Sequence, residues 1–233
     1  MNLLAIDTSA DFCSVAACCG ETLAFRHERA GQRQAEMILG LVEQVLAEAQ
    51  LALDDVGGIA YGAGPGSFTG LRVACGVTQG LALARGIGVI GVGTLLALAQ
   101  EAADEAEAAG TAWNARVIAC LDAHMGEVYH AAYCREVSGW QEVLAPGLYK
   151  PEAVPSVSGS GWIGCGNGFA AHEDHMAARY RTQLAAVLPE LTATARAVLR
   201  LAAPRFAAGE ARDAASAVPV YLREKVALKA SER

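Results

Sequence analysis

The change of hydrophobic period near residue 34 constrains the fold of this chain more than any other feature. Before it, three short apolar or alternating runs, at 3–6, 13–19 and 22–29, predict β-strands. From residue 34 to 49 the apolar residues recur at the i, i+4 spacing of an α-helix. Strand and helix patterns then alternate as far as residue 108, which predicts an α/β fold. The further predicted elements are a strand at 59–61, a helix at 69–85, a strand at 86–92 and a helix at 94–108 that Thr94 caps.

The order of these elements begins again near residue 110. The sequence therefore predicts two related halves, 1–109 and 110–233, each of the βββαβα type, with the second half degenerate. We also expect the C-terminal segment to pack back on the first half. In the second half the pattern predicts strands at 116–122, 127–133, 143–148 and 162–165 and helices at 169–180 and 192–208.

Composition excludes several classes of protein. Hydrophobic residues make up 53% of the 233 residues and charged residues 18%, so the chain is neither disordered nor a coiled coil. A net charge of −7 and the lack of any Lys or Arg cluster argue against direct binding of nucleic acid or of an anionic membrane. None of the seven cysteines has CxxC spacing, so we expect reduced thiols and no zinc ribbon. Asp7 follows a start without basic residues, which predicts a cytoplasmic protein with no signal peptide.

A glycine-rich turn at residues 62–70, GAGPGSFTG, is the strongest local motif. A predicted strand precedes it and a predicted helix follows, so backbone N–H groups gather at a helix N-terminus, where anions bind. The turn lacks the lysine of a P-loop, which excludes that motif. The alternative is that the glycines only allow two strands and a helix to pack closely. The candidate phosphate-binding residues are Gly64, Gly66, Ser67 and Thr69.

Asp7, Thr8 and Ser9 end the first predicted strand. A carboxylate followed by two hydroxyl groups in a tight turn suits a Mg²⁺–nucleotide phosphate site, and these residues are candidates for one. The alternative is an Asx turn, in which the Asp7 carboxylate accepts a hydrogen bond from the backbone two residues on. The sequence does not decide between the two.

Three further motifs give weak signals. The GIGVIG of residues 86–91 follows a helix and lies within a strand, which is not the order of a dinucleotide-binding fingerprint. The HEDH of residues 172–175 holds four potential metal ligands but is more typical of a solvated helix face. Ser67 as an acyl nucleophile lacks a histidine of informative context. We therefore predict neither a metal site nor a hydrolase site.

The helix predicted at 34–49 carries a wide apolar arc. Adjacent apolar pairs at 37/38, 41/42 and 45/46 exceed the stripe that covers one face of a sheet. Such a helix can pack on its sheet on one side and on another helix on the other side. The two interpretations are a helix buried within its own half and a helix in a subunit interface.

Five segments resemble the TsaB (YeaZ) family, whose members are bacterial subunits of the machinery that makes threonylcarbamoyladenosine in tRNA. The most specific is GPGSFTGLR at 64–72, and the resemblance spans nearly the whole chain. It implies an ASKHA (actin-like ATPase, ribonuclease H-like) fold. The supporting segments are LLAIDTS at 3–9, the helix at 34–49, DAHMGEVY at 122–129 and PVYLRE at 219–224.

The resemblance implies a non-catalytic scaffold rather than an enzyme. In this family's complex, a TsaD-like catalytic subunit transfers a threonylcarbamoyl group from its adenylate to the adenosine 3′ of the anticodon, in tRNAs that read codons beginning with A. That subunit carries an HxxxH metal motif, which this sequence lacks. The chain would bind and activate the TsaD-like subunit, a TsaE-like ATPase would bind the pair, and tRNA would be contacted only indirectly.

The implied interface lies on the first two helices, which accounts for the wide apolar arc. Without its partner, the chain is expected to form a homodimer through the same exposed ridge. The resemblance requires no cofactor and leaves open weak binding of ATP or ADP with Mg²⁺ at the glycine turn. The residues expected at the contact are Met37, Leu41, Val45, Val73, Val77 and Leu81.

Two alternative functions and two departures from the family pattern remain. One alternative is a self-sufficient ASKHA ATPase or small-molecule kinase that uses Asp7 and the turn at 64–69. The other is a peptidase, for which the sequence offers almost no support. The chain has Gln34 where a histidine is common in the family, and His124 where an arginine is usual.

Overall fold

A computed structural model of the chain describes residues 1–110 and 115–223. The start of the second half, at 111–114, and the last residue of the PVYLRE segment lie outside the described residues. The strands are β1 (Leu3–Asp7), β2 (Phe12–Cys19), β3 (Thr22–Arg29), β4 (Gly58–Gly64), β5 (Gly88–Gly93), β6 (Arg116–Asp122), β7 (Val128–Glu136), β8 (Gly139–Tyr149), β9 (Trp162–Cys165) and β10 (Leu184–Leu188). The helices are α1 (Gln34–Glu48), α2 (Phe68–Arg85), α3 (Thr94–Ala108), α4 (Gly168–Ala171), α5 (Glu173–Tyr180) and α6 (Ala195–Ala207).

The first half forms a five-stranded mixed sheet in the order β3-β2-β1-β4-β5. β1 pairs antiparallel with β2 and parallel with β4, and β5 continues the parallel part. All five residues of β1 are buried, because this central strand is covered on both faces. Its carboxyl end and that of the parallel β4 therefore lie at the same edge of the sheet.

The second half repeats this arrangement. Its sheet has the order β8-β7-β6-β9-β10, in which β6 is antiparallel to β7 and parallel to β9. Strand order and direction match those of the first sheet, which confirms the prediction of two related halves with an α/β fold. In the described residues no α-helix lies between β8 and β9, where the first half has α1, and only a short 3₁₀ turn at Pro151–Ala153 is found there. The second half is degenerate in this sense.

The two halves exchange helices across a shared core. Helix α6, from the second half, packs on β1, β2, β4 and β5 of the first sheet, and α3, from the first half, packs on β6, β7 and β9. Side chains of β1 alternate between this core and the opposite face: Leu3 and Ala5 face it, whereas Leu4 and Ile6 belong to the core under α1 and α2. The halves are therefore joined by packing as well as by the chain.

Most element predictions agree with the structure, and three are wrong. Thr94 does not cap α3, because Gly93 is the N-cap and Thr94 is the first, buried residue of the helix. The helix predicted at 169–180 is interrupted at His172, which separates α4 from α5. Strand β10 was not predicted, since it is a short edge strand whose side chains are half-buried or exposed and give no alternating pattern. The glycines at 86–91 lie, as expected, at the C-cap of α2 and within β5.

Among the described residues, no helix is both long enough and apolar enough to cross a membrane.

Candidate functional site

The carboxyl ends of β1 and β4 bring the two strongest sequence motifs together. Asp7 ends β1, and the glycine-rich turn leaves β4 beside it to enter α2. The backbone N–H of Ser67 donates to the carbonyl oxygen of Ser9 at 2.8 Å, so the two motifs are in direct contact. The candidate phosphate-binding residues therefore form one cluster.

Asp7 forms the Asx turn that the sequence left open. Its Oδ1 accepts hydrogen bonds from the Ser9 backbone N–H at 3.1 Å and from the Ser9 hydroxyl at 2.8 Å. Asp7 is 2% exposed, and its Oδ2 has no hydrogen-bond partner among residues 1–110 and 115–223. Burial raises the pKa of Asp7 from 3.8 to about 6, and the bonds from Ser9 oppose this rise only in part.

The glycines of the turn pack against residues 7–9. A Cβ atom at Gly62 would overlap the Asp7 carboxylate, and one at Gly66 would overlap the carbonyl oxygen of Ser9. Gly64, at φ +114°, leaves room for the Val220 carbonyl oxygen, which would lie 2.6 Å from a Cβ atom there. Close packing thus accounts for these glycines, and nucleotide binding at the turn stays a prediction.

Thr8 and Gln34 form the buried side of the same cluster. The Thr8 hydroxyl donates to the carbonyl oxygen of Gly70 at 2.6 Å, and a Cβ atom at Gly70 would overlap the carbonyl oxygen of Thr8. Gln34, buried at the start of α1, donates through Nε2 to the carbonyl oxygens of Thr8 and Ala10. The family departure at Gln34 therefore falls on a residue that ties α1 to the end of β1.

The first turn of α2 is the exposed side of the cluster. Ser67 is the N-cap, and its hydroxyl accepts from the Gly70 backbone N–H, as expected for a helix that begins after a glycine turn. Ser67, Phe68 and Thr69 are exposed. Within the described residues no hydrogen bond links the Ser67 hydroxyl to a histidine, so the arrangement lacks the base that an acyl nucleophile needs.

A segment that sequence reasoning treated only as a family marker completes the site. Residues 217–223, which we call the C-terminal strap, run past the glycine turn and end at the second half. The Val220 backbone N–H donates to the Ala63 carbonyl oxygen at 2.7 Å, and the Tyr221 hydroxyl accepts from Arg72 Nε at 3.1 Å. At the far end, Arg223 pairs with Glu127 at 2.6 Å. The strap, which overlaps the segment 219–224, therefore contacts two other segments that carry the family resemblance, 64–72 and 122–129.

Asp122 is the counterpart of Asp7 in the second half, since it ends the central strand β6. Its Oδ1 accepts from the His124 backbone N–H at 3.0 Å, which is the same Asx turn. His124 and His172 lie beside its two carboxylate oxygens, at 3.2 and 3.5 Å. Even so, no cluster of three or more His, Cys, Asp or Glu side chains in the described part of the chain is suited to hold a metal ion.

The six predicted interface residues fall into two groups. Leu41 and Val45 are 4% and 0% exposed and belong to the core under α1 and α2, so they present almost no surface to a partner. The other four keep part of their surface at the margin of that core. These are Met37, Val73, Val77 and Leu81.

The exposed face of α1 and α2 carries other residues. Leu39 on α1 is 52% exposed and Leu83 on α2 is 77% exposed. Gly76 and Gly80 lie on the same outward face of α2, where a Cβ atom would meet nothing within 4 Å. The apolar ladder in the sequence marked the side of each helix that packs inward, whereas these isolated leucines were the signal for the outward side.

Comparison with known proteins decides the family. A family model described as "TsaD: tRNA N6-adenosine threonylcarbamoyltransferase" matches residues 27–230. Over 98% of its length the chain is 37% identical to "tRNA threonylcarbamoyladenosine biosynthesis protein TsaB" of Escherichia coli K12, of which it covers 97%. The chain belongs to the TsaB family.

Two further comparisons agree with this placement. The structure of "YeaZ from Pseudomonas aeruginosa" superposes with a TM-score of 0.86 at 36% identity, covering 95% of this chain and 99% of that one. A tRNA N6-adenosine threonylcarbamoyltransferase from Bordetella pertussis is 36% identical over 109 residues, which are 40% of this chain and 32% of the transferase. The pairwise similarity thus covers a limited region of this Bordetella transferase and nearly the whole length of the Escherichia coli TsaB protein.

Proposed function

We propose that this TsaB-family chain is a non-catalytic subunit that binds and activates a TsaD-like transferase. The transferase would move the threonylcarbamoyl group from its adenylate to the adenosine 3′ of the anticodon, in tRNAs that read codons beginning with A. The observation that carries the proposal is the exposed apolar face of α1 and α2, with Leu39 and Leu83 at 52% and 77% exposure. Isolated exposed leucines are common, but Leu83 lies on the same side of α2 as the exposed Gly76 and Gly80, where the lack of side chains lets a second helix approach closely.

The closed cluster at Asp7 supports a scaffold over an independent enzyme. The space beside Gly62, Gly66 and Gly70 is already filled by Asp7, Ser9 and Thr8. The Asp7 carboxylate is buried and accepts a hydrogen bond from the backbone N–H of Ser9. The chain also lacks the HxxxH pair that the resemblance assigns to the catalytic subunit. In the proposal, the TsaE-like ATPase binds the pair, and a second copy of this chain occupies the same α1–α2 face when the transferase is absent.

A binding measurement on surface variants tests the proposal. Leu83→Asp places a charge on the face and is expected to weaken binding to the TsaD-like subunit about tenfold or more, because a buried charge without a partner is costly. Isothermal titration calorimetry of the purified pair gives the affinity. Leu39→Asp is expected to act in the same direction.

Matched controls separate an interface effect from a folding effect. Val137, in the turn between β7 and β8, is 91% exposed and far from α2 in the fold, so Val137→Asp is expected to leave the affinity unchanged. Leu41→Glu is unsuitable as a test, since Leu41 is 4% exposed and the change would disrupt the core. Unchanged affinity in both Leu83→Asp and Leu39→Asp would contradict the proposal.

A further inference from the structure

The C-terminal strap holds parts of both halves in one arrangement. Segments without regular secondary structure stay ordered where specific contacts hold them, and the strap is held at three successive points. At the first point, backbone N–H groups of the strap donate to residues of β4. The Val220 N–H donates to the Ala63 carbonyl oxygen, and the Val218 N–H donates to the Tyr61 hydroxyl at 3.1 Å. The strap is thus fixed to the sheet edge before its side chains reach α2.

At the second point, Tyr221 contacts the first turn of α2. Its ring lies 5.5 Å from the ring of Phe68, and the Arg72 guanidinium lies 3.8 Å over the Phe68 ring. With the bond from Arg72 Nε to the Tyr221 hydroxyl, the three side chains hold one another. Phe68 and Tyr221 remain 45% and 43% exposed, so this cluster is part of the surface rather than of a core.

At the third point, Arg223 stabilises an unfavourable turn of the second half. His124 and Met125 both have positive φ angles, +58° and +57°, which non-glycine residues rarely adopt. Arg223 donates to the His124 carbonyl oxygen at 3.3 Å and to Glu127 at 2.6 Å, on either side of that turn. Its side chain is 16% exposed, so this ion pair is better shielded from water than an ordinary surface pair.

The cluster at Tyr221 is continuous with the α1–α2 face. Arg72, Gly76 and Gly80 are exposed and follow one another at i, i+4 and i+8, which places them on one side of α2. The orientation of Arg72 at the start of this line depends on Tyr221, and the strap that carries Tyr221 is anchored at Arg223. The contacts therefore connect the turn at 124–127 to the helix face.

We propose that Arg223 and Tyr221 are positioning residues for partner docking, which set the first turn of α2 in the orientation that the TsaD-like transferase binds. This inference rests on the proposed function. Without the ion pair to Glu127 the strap loses its anchor on the second half, and Phe68 and Arg72 lose the side chain that orders them. Docking then has to order these groups as it occurs, which weakens binding without removing any contact of the interface itself.

The test is the affinity of the full-length chain for the TsaD-like subunit, measured by calorimetry. Arg223→Ala and Tyr221→Ala are each expected to weaken binding about five- to tenfold, while the unfolding temperature of the free chain stays close to that of the unmodified chain. The charge swap Arg223→Glu with Glu127→Arg is expected to restore part of the affinity lost in Arg223→Glu alone or Glu127→Arg alone, because the ion pair returns whereas the bond to the His124 carbonyl oxygen does not. Such rescue identifies the coupling between the two residues, which a general loss of packing would not show.

A matched control and two distinct failures make the outcome decisive. Arg135 pairs with Glu107 at 3.2 Å with a similarly shielded side chain, 22% exposed, so Arg135→Ala removes a comparable ion pair away from the strap and should leave affinity unchanged. If Arg223→Ala binds as tightly as Arg135→Ala while Leu83→Asp binds weakly, the strap inference is overturned and the proposed function stands. If Leu83→Asp and Leu39→Asp also bind normally, the proposed function fails with it.

Discussion

The central strands of the two halves end in the same turn, yet their surroundings differ. Asp7 and Asp122 each accept a hydrogen bond from the backbone N–H two residues on, at 3.1 and 3.0 Å. Asp7 is 2% exposed, whereas the Asp122 side chain keeps 22% of its surface and lies beside two histidines. The same local geometry therefore sits in a closed environment in one half and in an open one in the other.

The presence of α1 explains this difference. Gln34, at the start of α1, covers the end of β1 by donating to the carbonyl oxygens of Thr8 and Ala10. Between β8 and β9 the described residues contain only the short turn at Pro151–Ala153, so no helix equivalent to α1 covers the end of β6, and the short helix α4 packs on β6 instead. The duplicated fold thus closes the strand end in the half that contains α1 and α2, and leaves it more open in the other half.

The largest effect on stability is expected from adding a side-chain atom at the closed carboxyl end of β1. Gly70→Ala would place a Cβ atom against the backbone carbonyl of Thr8, which cannot move without disturbing β1. We expect a loss of about 3 kcal/mol or more in the free energy of unfolding, at the upper end of overpacking effects. Urea unfolding followed by circular dichroism measures it.

A second glycine of the same helix provides the control for this change. A Cβ atom at Gly76 meets nothing within 4 Å, so Gly76→Ala is expected to stabilise the chain by up to about 1 kcal/mol through helix propensity. Equal stability of the two variants would mean that the end of β1 is not closed, and the contrast between the halves would fail.

The next largest effect on stability comes from the buried carboxyl group of Asp7. Because the pKa of Asp7 is raised from 3.8 to about 6, the folded chain binds this proton more tightly than the unfolded chain. The stabilisation from Asp7 is therefore complete below pH 4 and is lost as the pH rises to about 6, by about 3 kcal/mol in all. Asp7→Asn removes the ionisation and keeps an oxygen for the turn.

The measurement is the difference in unfolding free energy between Asp7→Asn and the unmodified chain, from pH 4 to pH 7.5. We expect this difference to shift in favour of the variant between about pH 4 and pH 6 and to level off above pH 6. His27 and His130, whose pKa values burial lowers, titrate in both proteins and cancel in the difference. Parallel stability curves would show that Asp7 is not closed off from water.

The smallest effects on stability are expected from removing the side chains that hold the carboxyl ends of β1 and β6. Gln34→Ala removes the donor to the buried Thr8 carbonyl oxygen and to the half-buried Ala10 carbonyl oxygen, and it is expected to cost about 1–3 kcal/mol. Asn167, whose Oδ1 accepts from the Asp122 backbone N–H at 2.9 Å, is exposed, so Asn167→Ala is expected to cost about 0.5 kcal/mol or less. Thermal unfolding of the two variants side by side tests the ranking, and the reverse order would contradict the role given to α1.

The histidine that the resemblance implies at position 34 provides a further variant for the same comparison. Gln34→His retains one ring N–H that can donate to a carbonyl oxygen, so it is expected to fall between Gln34 and Gln34→Ala in stability. If it is as unstable as the alanine variant, the tie between α1 and the end of β1 needs both bonds of the amide.

Element type and order were largely predictable from the sequence. The bounds predicted for β3, β6 and β9 agree with the structure, since each lies between clear turn residues. Periodicity could not say which apolar surface a helix buries within its own chain. The contact that the resemblance implies was therefore predicted to include Leu41 and Val45, although both lie in the core.

The candidate site was predictable in its residues but not in its packing. The sequence marked Asp7 and the glycine turn as separate candidates, and their contact follows from the parallel pairing of β1 and β4. The space beside a glycine can be open to a ligand or filled by another part of the chain. Which of the two occurs depends on atoms that are distant in sequence, such as the Val220 carbonyl oxygen beside Gly64. The pairing of Arg223 with Glu127 joins residues 96 positions apart, which no local pattern can indicate.

The exchange of α3 and α6 between the halves has a consequence for synthesis of the chain. One face of the first sheet is covered by α6, which begins only at Ala195. A nascent chain that has emerged from the ribosome as far as residue 110 holds all five strands of that sheet but lacks the helix that completes its core. The N-terminal half is therefore expected to keep apolar surface uncovered until α6 has also emerged, and to be exposed to aggregation for longer than a self-contained domain would be.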